Sequence, residues 1–173
     1  MSRSTLFIAA CLLTLVGCAA PAPPDYAAQN QPAVDAYIAG WNTADVSGLD
    51  AAFAVDTQRH SSGGMNADGL AALKTLMTDF RTAYPDGKVV MDESHYIDGQ
   101  SFHLWTFTGT NTGPGPGAMT PTGKSVKVSG STRMRHVDGK IVDEVVYFDA
   151  LDMQTQLGYT LTPPAPAAAA AAE

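Results

Sequence analysis

The chain has 173 residues, a formal net charge of -7 and two cysteines. Its acidic balance and the lack of a basic cluster exclude the charge pattern that binds nucleic acid or anionic lipid headgroups. Without the N-terminal segment described next, about 155 residues remain, which is enough for one domain with its own core and too few for two.

The N-terminus has the pattern of a bacterial signal peptide. Arg3 supplies a positive charge, and the apolar run over 6–16 is too short to span a bilayer. The run ends in Leu15-Val16-Gly17-Cys18, which resembles the lipobox that precedes cleavage and lipidation in lipoproteins. We therefore predict a signal peptide over 1–17 and a lipid anchor on Cys18. The alternative is an ordinary secretory signal with an incidental cysteine.

This prediction has consequences for the mature protein. Cys11 would leave with the signal peptide and Cys18 would be acylated, so the fold would contain no disulfide and depend on its core. The expected location is the bacterial cell envelope, outside the cytoplasm, with the lipid chains as the membrane contact. Ala19 after the cysteine, in place of Asp, resembles the signal for sorting to an outer membrane where the host has one.

The next segments predict a linker followed by helices. Pro, Ala and Gln are frequent in 18–31, which indicates a linker, and we expect the domain to begin near Pro32. Apolar residues at helical spacing predict a first helix over 34–41, a short second helix over 46–54 and a longest third helix over 70–84.

Beyond residue 84 the apolar period changes from that of a helix to the alternation of a strand. Strands are predicted over 89–97, 101–110, 125–136 and 140–148, with hairpin turns at Asp98-Gly99 and Asp138-Gly139. A last helix over 150–157 should end at Gly158, before a disordered Pro- and Ala-rich tail over 159–173. This order predicts an α+β fold in which a cone-shaped, curved antiparallel sheet wraps around the N-terminal helices and encloses a pocket.

Four short motifs carry a family resemblance. They are Ala83-Tyr84-Pro85-Asp86, Gly109-Thr110-Asn111-Thr112-Gly113 after Trp105, Pro121-Thr122-Gly123-Lys124, and the hairpin Arg135-His136-Val137-Asp138-Gly139-Lys140-Ile141-Val142. Their order and spacing resemble the SnoaL-like family of the nuclear transport factor two-like superfamily, which includes polyketide and ester cyclases. The resemblance covers about residues 32–158 and implies the family's cone-shaped fold.

The resemblance also implies where the family's chemistry would lie. Characterised members close a ring by an intramolecular aldol step, in which an Asp on the last strand removes a proton and a His on the preceding strand assists. In this chain the His position falls on Thr132 and the Asp position on Val146. Valine cannot accept a proton, and general-base catalysis is worth roughly 10²–10⁴-fold in rate. The ordinary cyclase mechanism is therefore not predicted.

Two ionisable residues are candidates for a displaced acid or base. Glu144 is expected on the concave face, where it could accept a proton from a bound molecule. The alternative places it near the rim of the cone, paired with Arg133, Arg135 or solvent. His60 is expected either at the pocket, where its imidazole could orient a carbonyl group, or on the surface.

Strand alternation and the family resemblance together predict which residues line the pocket. The predicted lining residues are Trp105, His103, Phe107, Thr132, Met134, Val146 and Asp149. His103 could instead pack in the core, and Asp149 could cap the last helix. No metal or cofactor is predicted, because the four histidines are scattered and no phosphate-binding glycine loop occurs.

Three functional hypotheses remain. In the first, which the residues at 132 and 146 favour, the domain binds a small, mostly apolar organic molecule without chemistry. In the second, it is an enzyme of the cyclase, isomerase or hydrolase kind that uses Glu144 or His60. In the third, the domain contacts an envelope protein or a second copy of the chain, because the superfamily commonly dimerises through its sheet.

Overall fold

The computed structural model describes residues 24–115 and 120–163. Its elements are α1 (Tyr26–Thr43), α2 (Leu49–Ala52), β1 (Phe53–Ser61), β2 (Ala67–Asp68), α3 (Leu70–Ala83), β3 (Lys88–Ile97), β4 (Gln100–Thr110), β5 (Ser125–Val137), β6 (Lys140–Phe148) and α4 (Ala150–Gln156). The predicted signal peptide, Cys18 and residues 164–173 of the predicted tail lie outside the described residues. None of the described helices is both long and apolar enough to cross a membrane.

A curved six-stranded sheet in the order β2-β1-β6-β5-β4-β3 forms the frame of the domain. The four strands from β3 to β6 are antiparallel neighbours, joined in part by the two Asp-Gly turns that the sequence predicts. Gly99 and Gly139 have φ of 62° and 74°, the left-handed conformation that glycine adopts without steric cost. The α+β prediction is confirmed, with one correction: β1 joins β6 in parallel, so the sheet is mixed.

The segment over 46–61 differs most from the prediction. Its helix is limited to α2, and the chain continues as β1 instead of extending the helix to residue 54. The cause is long-range, because β1 pairs with β6, which lies more than 80 residues later in the chain. Local alternation also fails in β1, where Val55 is 82% exposed and the register with β6 shifts between Phe53 and Gln58.

The first helix begins earlier than predicted. The Asp25 carboxylate accepts a hydrogen bond of 2.9 Å from the Ala28 amide and caps α1 at Tyr26. Pro32 therefore lies inside the helix, and residues 26–31 are helical although the prediction assigned them to the linker.

Two groups of buried side chains fill the concave face of the sheet. The first group, which includes Tyr37, Phe53 and Met77, lies under α1, α2 and α3. The second surrounds the end of α3, where Phe80 packs against Phe107 at a centroid distance of 5.1 Å. Trp41 contacts both groups and meets Phe80 edge-to-face at 5.4 Å. These aromatic contacts hold the helices over the sheet. A space remains between the helices and the concave face.

Candidate functional site

A cavity of about 70 Å³ lies between the concave face of the sheet and the helices α1, α3 and α4. Its walls are mostly aromatic and aliphatic, and four methionines line it, Met65, Met91, Met134 and Met153. An apolar cavity of roughly 150 Å³ is known to hold benzene, so this one has room for a smaller molecule. Because methionine side chains repack easily, the same walls can also widen around a larger ligand.

Five of the seven predicted pocket residues line this cavity. They are Trp105, Phe107, Thr132, Met134 and Val146. The Trp105 indole N–H donates a hydrogen bond of 2.9 Å to the Thr132 hydroxyl, which fixes the ring against the sheet. The ring lies over Gly130, where any Cβ would collide with it. Gly130 therefore allows the tryptophan to form the cavity wall.

The other predicted site residues lie elsewhere. His103 is buried but contacts Ser94 and Ser101 and does not line the cavity. Asp149 caps α4, because its carboxylate accepts a hydrogen bond of 2.8 Å from the Asp152 amide. His60 is exposed on β1, since strand alternation turns it away from the face that the preceding Arg59 occupies. Of the two positions considered for His60, the structure therefore shows the one on the surface.

A polar triad of Tyr37, Arg59 and Glu144 lies at the wall of the cavity. Arg59 Nη1 is 2.6 Å from Glu144 Oε2, and the Tyr37 hydroxyl donates to the same oxygen at 2.9 Å. Arg59 Nη1 also donates to the Tyr37 hydroxyl oxygen at 3.1 Å. The three side chains are 2%, 5% and 2% exposed, respectively, so the ion pair is removed from bulk water.

The fold brings the triad together from three elements. Arg59 on β1 and Glu144 on β6 are direct partners across the parallel strand pair. Tyr37 reaches them from α1, which lies on the concave face. A second anchor holds the arginine, because its Nε donates to the Met65 carbonyl oxygen at 3.1 Å. Its guanidinium carbon also lies 5.8 Å from the centre of the Trp41 ring.

The positive charge of Arg59 and the negative charge of Glu144 balance each other within the triad. Burial is the largest single effect on Arg59 and opposes its charge, but Glu144 and Tyr37 together hold the pKa of the guanidinium above its ordinary value. Burial raises the pKa of Tyr37 well above its usual range, so its phenol stays protonated and donates to Glu144. Without the negative charge of Glu144, Arg59 would be buried without a counter-charge.

Arg59 was not among the predicted site residues. Because a helix was predicted over 46–54, the strand β1 was not recognised. The direction of each side chain on β1 was therefore not predicted either. Read as a strand, residues 57–61 place Thr57 and Arg59 on one face and His60 on the other. The sequence signal was therefore a single arginine on an inward strand position, which requires a buried carboxylate partner such as Glu144.

A second polar cluster lies outside the cavity, toward β3, and is buried except for Ser94. In this histidine chain, Ser94 Oγ is 2.9 Å from His103 Nδ1, and Ser101 Oγ is 2.8 Å from both His103 Nε2 and His136 Nε2. Burial lowers the pKa of His103 to about 4, assisted by the nearby His136, and burial also lowers the pKa of His136. Both imidazoles are therefore neutral at pH 7. Among the described residues, no three His, Cys, Asp or Glu side chains group as metal ligands would.

Comparison with known proteins agrees with this architecture. The profile of the SnoaL-like polyketide cyclase family matches residues 31–157. No curated protein matches the chain. A solved structure from Jannaschia sp. CCS1, assigned as a SnoaL-like polyketide cyclase, is 18% identical with a TM-score of 0.68 and covers 82% of this chain and 98% of its own.

Two further solved structures have the same fold. TsrD from Streptomyces laurentii is 20% identical with a TM-score of 0.66, over 76% of this chain and 96% of its own. A protein with a ketosteroid isomerase-like fold from Catenulispora acidiphila, solved with trimethylamine, is 17% identical with a TM-score of 0.64, over 78% and 99%. The family profile covers most of the domain, and the chain belongs to the SnoaL-like polyketide cyclase family.

Proposed function

We propose that this protein binds a small, mostly apolar organic molecule in its cavity without the cyclase chemistry of its family. The observation that carries the proposal is the pair Thr132 and Val146, which occupy the two positions matched to the family's acid and base. They are direct partners across β5 and β6, and both line the cavity. This supports binding without cyclase chemistry, because neither side chain can act as the family's His or Asp does in proton transfer.

The nearest carboxylate does not replace the missing base. Glu144 lines the cavity two residues before Val146, but its Oε2 atom already accepts hydrogen bonds from both Arg59 and Tyr37. Taking a proton from a ligand would break a buried ion pair, and breaking such a pair costs about 3–5 kcal/mol. The same cost does not arise when Glu144 accepts a hydrogen bond from a ligand that keeps its proton.

A second candidate function is an enzyme that uses Glu144 as a displaced base. It is favoured by the position of this carboxylate in the cavity of a domain whose relatives include cyclases. Such an enzyme would need the ligand to take over the role of Arg59 or Tyr37 as Glu144 becomes protonated. The two candidates therefore differ in whether the bound molecule changes.

The proposed location follows from the N-terminal motif. We propose that Cys18 is lipidated and holds the domain outside the cytoplasm, where polyketide intermediates made in the cytosol are not supplied. Cys18→Ser is expected to move the protein from the membrane fraction to the soluble fraction of the cell envelope. A variant that stays with the membrane would contradict the anchor.

The binding function can be tested by native mass spectrometry of the purified protein. We expect a small molecule to copurify with the wild type and to keep its mass during incubation. Val146→Phe fills the cavity and should remove the molecule, whereas Val145→Phe, one residue earlier on β6 and not among the cavity-lining residues, should retain it. Equal occupancy of the two variants would show that the cavity is not the binding site.

A further inference from the structure

We propose that Arg59 is a built-in cation that determines the ligand class of the cavity: neutral molecules with a hydroxyl or carbonyl group, and not organic ammonium ions. This inference rests on the proposed binding function and extends it from the size of the ligand to its charge.

Apart from Arg59, the walls have the composition of a site for an organic cation. The rings of Tyr37, Trp41, Trp105 and Phe148 line the cavity together with the carboxylate of Glu144. Aromatic faces attract cations through their quadrupoles, and a nearby carboxylate adds a full counter-charge. Such a set of groups would hold a small alkylammonium ion if no other cation were present.

Arg59 occupies that position with its own side chain. Its guanidinium lies over Trp41 at 5.8 Å and reaches Glu144 Oε2 at 2.6 Å, so it uses both the aromatic face and the counter-charge. The hydrogen bond from its Nε to the Met65 carbonyl holds the side chain from a third direction. With only 5% of its surface exposed, the arginine is part of the wall and not a mobile surface residue.

The charges of the lining residues then cancel. Among the cavity-lining residues, Arg59 and Glu144 are the two that carry charge, and Tyr37 remains a neutral phenol. A charged ligand would lose its hydration without gaining a counter-charge, which is costly in a site of low polarity. An ammonium ion would also meet the positive guanidinium, and an anion would meet Glu144.

A neutral polar group can still be recognised. The Thr132 oxygen accepts the Trp105 N–H, which leaves the threonine hydroxyl proton available for a ligand oxygen. Thr132 and Glu144 lie diagonally on adjacent strands of the same face, because Thr132 pairs with Val146 and Met134 with Glu144. A hydroxyl or carbonyl oxygen of the ligand is therefore expected near Thr132, with its apolar part against the methionines.

Tryptophan fluorescence gives a direct readout, because the only two tryptophans of the chain, Trp41 and Trp105, both line the cavity. The wild type is titrated with tert-butanol and with tetramethylammonium chloride, two probes of similar size that differ in charge, with sodium chloride as the salt control. We expect a saturable change with tert-butanol and no change with tetramethylammonium beyond that of sodium chloride.

Two variants then test the role of Arg59. Arg59→Ala opens the cation position and leaves Glu144 without a counter-charge, so it should bind tetramethylammonium saturably and at least roughly tenfold more tightly than any residual binding to the wild type. The double variant R59A/E144Q should lose this gain and still bind tert-butanol. If R59A is too unstable to purify, tetramethylammonium, and not sodium, should restore its refolding yield.

The possible results separate this inference from the proposed function. Wild-type protein that binds both probes equally, or an R59A/E144Q variant that binds the ammonium ion as well as R59A does, would overturn the role of Arg59 while binding stands. If neither the wild type nor R59A/E144Q responds to tert-butanol, the binding function fails and this inference fails with it.

Discussion

The polar triad and the histidine chain both lie on the concave face of one sheet, but their polar groups are compensated in different ways. The triad pairs opposite charges across β1 and β6 and lines the cavity. The histidine chain uses neutral serine and histidine side chains across β3, β4 and β5, away from the cavity lining.

This difference shows which buried polar group can meet a ligand. The charges of the triad compensate each other, so the cavity can present polar atoms without net charge. The imidazoles of the histidine chain depend on staying neutral, since protonation would place like charges on His103 and His136, which share Ser101. We therefore propose the triad as the group that meets a ligand, and we expect the histidine chain to stabilise the sheet only while both imidazoles are neutral.

The largest expected effect comes from removing one half of the ion pair. Glu144→Ala leaves Arg59 buried without a counter-charge and should lower the free energy of unfolding by about 3–5 kcal/mol. Replacing both residues, as in R59M/E144L, removes both charges and should recover most of that loss. Urea unfolding measures both variants, and a double variant as unstable as E144A would contradict the charge argument.

The histidine chain should make stability depend on pH. Its pKa values are lower in the folded protein than the ordinary value of about 6.5, so the unfolded chain binds more protons as the pH falls. The stabilisation is complete above about pH 6.5 and is lost between there and about pH 4. After allowance for solvent screening, His103 should account for roughly 2 kcal/mol.

Urea unfolding at a series of pH values from 7 to 4 checks this prediction. His103→Gln removes the titrating group and should flatten the loss of stability over this range. The matched control is His95→Gln, since His95 is exposed on β3 beside the chain. If H103Q and wild type lose stability in parallel, another group is responsible for the acid sensitivity.

The smallest expected effect concerns a hydroxyl that belongs to neither cluster. Thr57 lies on the same strand as Arg59 and is 1% exposed, and its Oγ1 atom has no hydrogen-bond partner among the described residues. Thr57→Val replaces this hydroxyl with a methyl group and should raise stability by about 1 kcal/mol. Thermal unfolding is sufficient to detect it, and a clear loss of stability would show that the hydroxyl has a partner.

The same contrast explains what could be predicted from the sequence. The bounds of strands β3 to β6 follow from local patterns and from the two Asp-Gly turns, and the family resemblance placed Thr132 and Val146 on the inward face. β1 could not be found in this way, because its pairing with β6 depends on residues far away in the chain. Glu144 was a candidate for the cavity, with the rim of the cone as the alternative, but its partner Arg59 lies in the strand that was not predicted.

The ligand that copurifies can be used to determine whether the cavity holds a molecule without transforming it. The isolated molecule is incubated with wild-type protein and with Glu144→Gln, and its mass is followed over time. We expect the molecule to stay unchanged with both proteins. If the wild type converts the molecule and E144Q does not, the domain is an enzyme and Glu144 is its catalytic base.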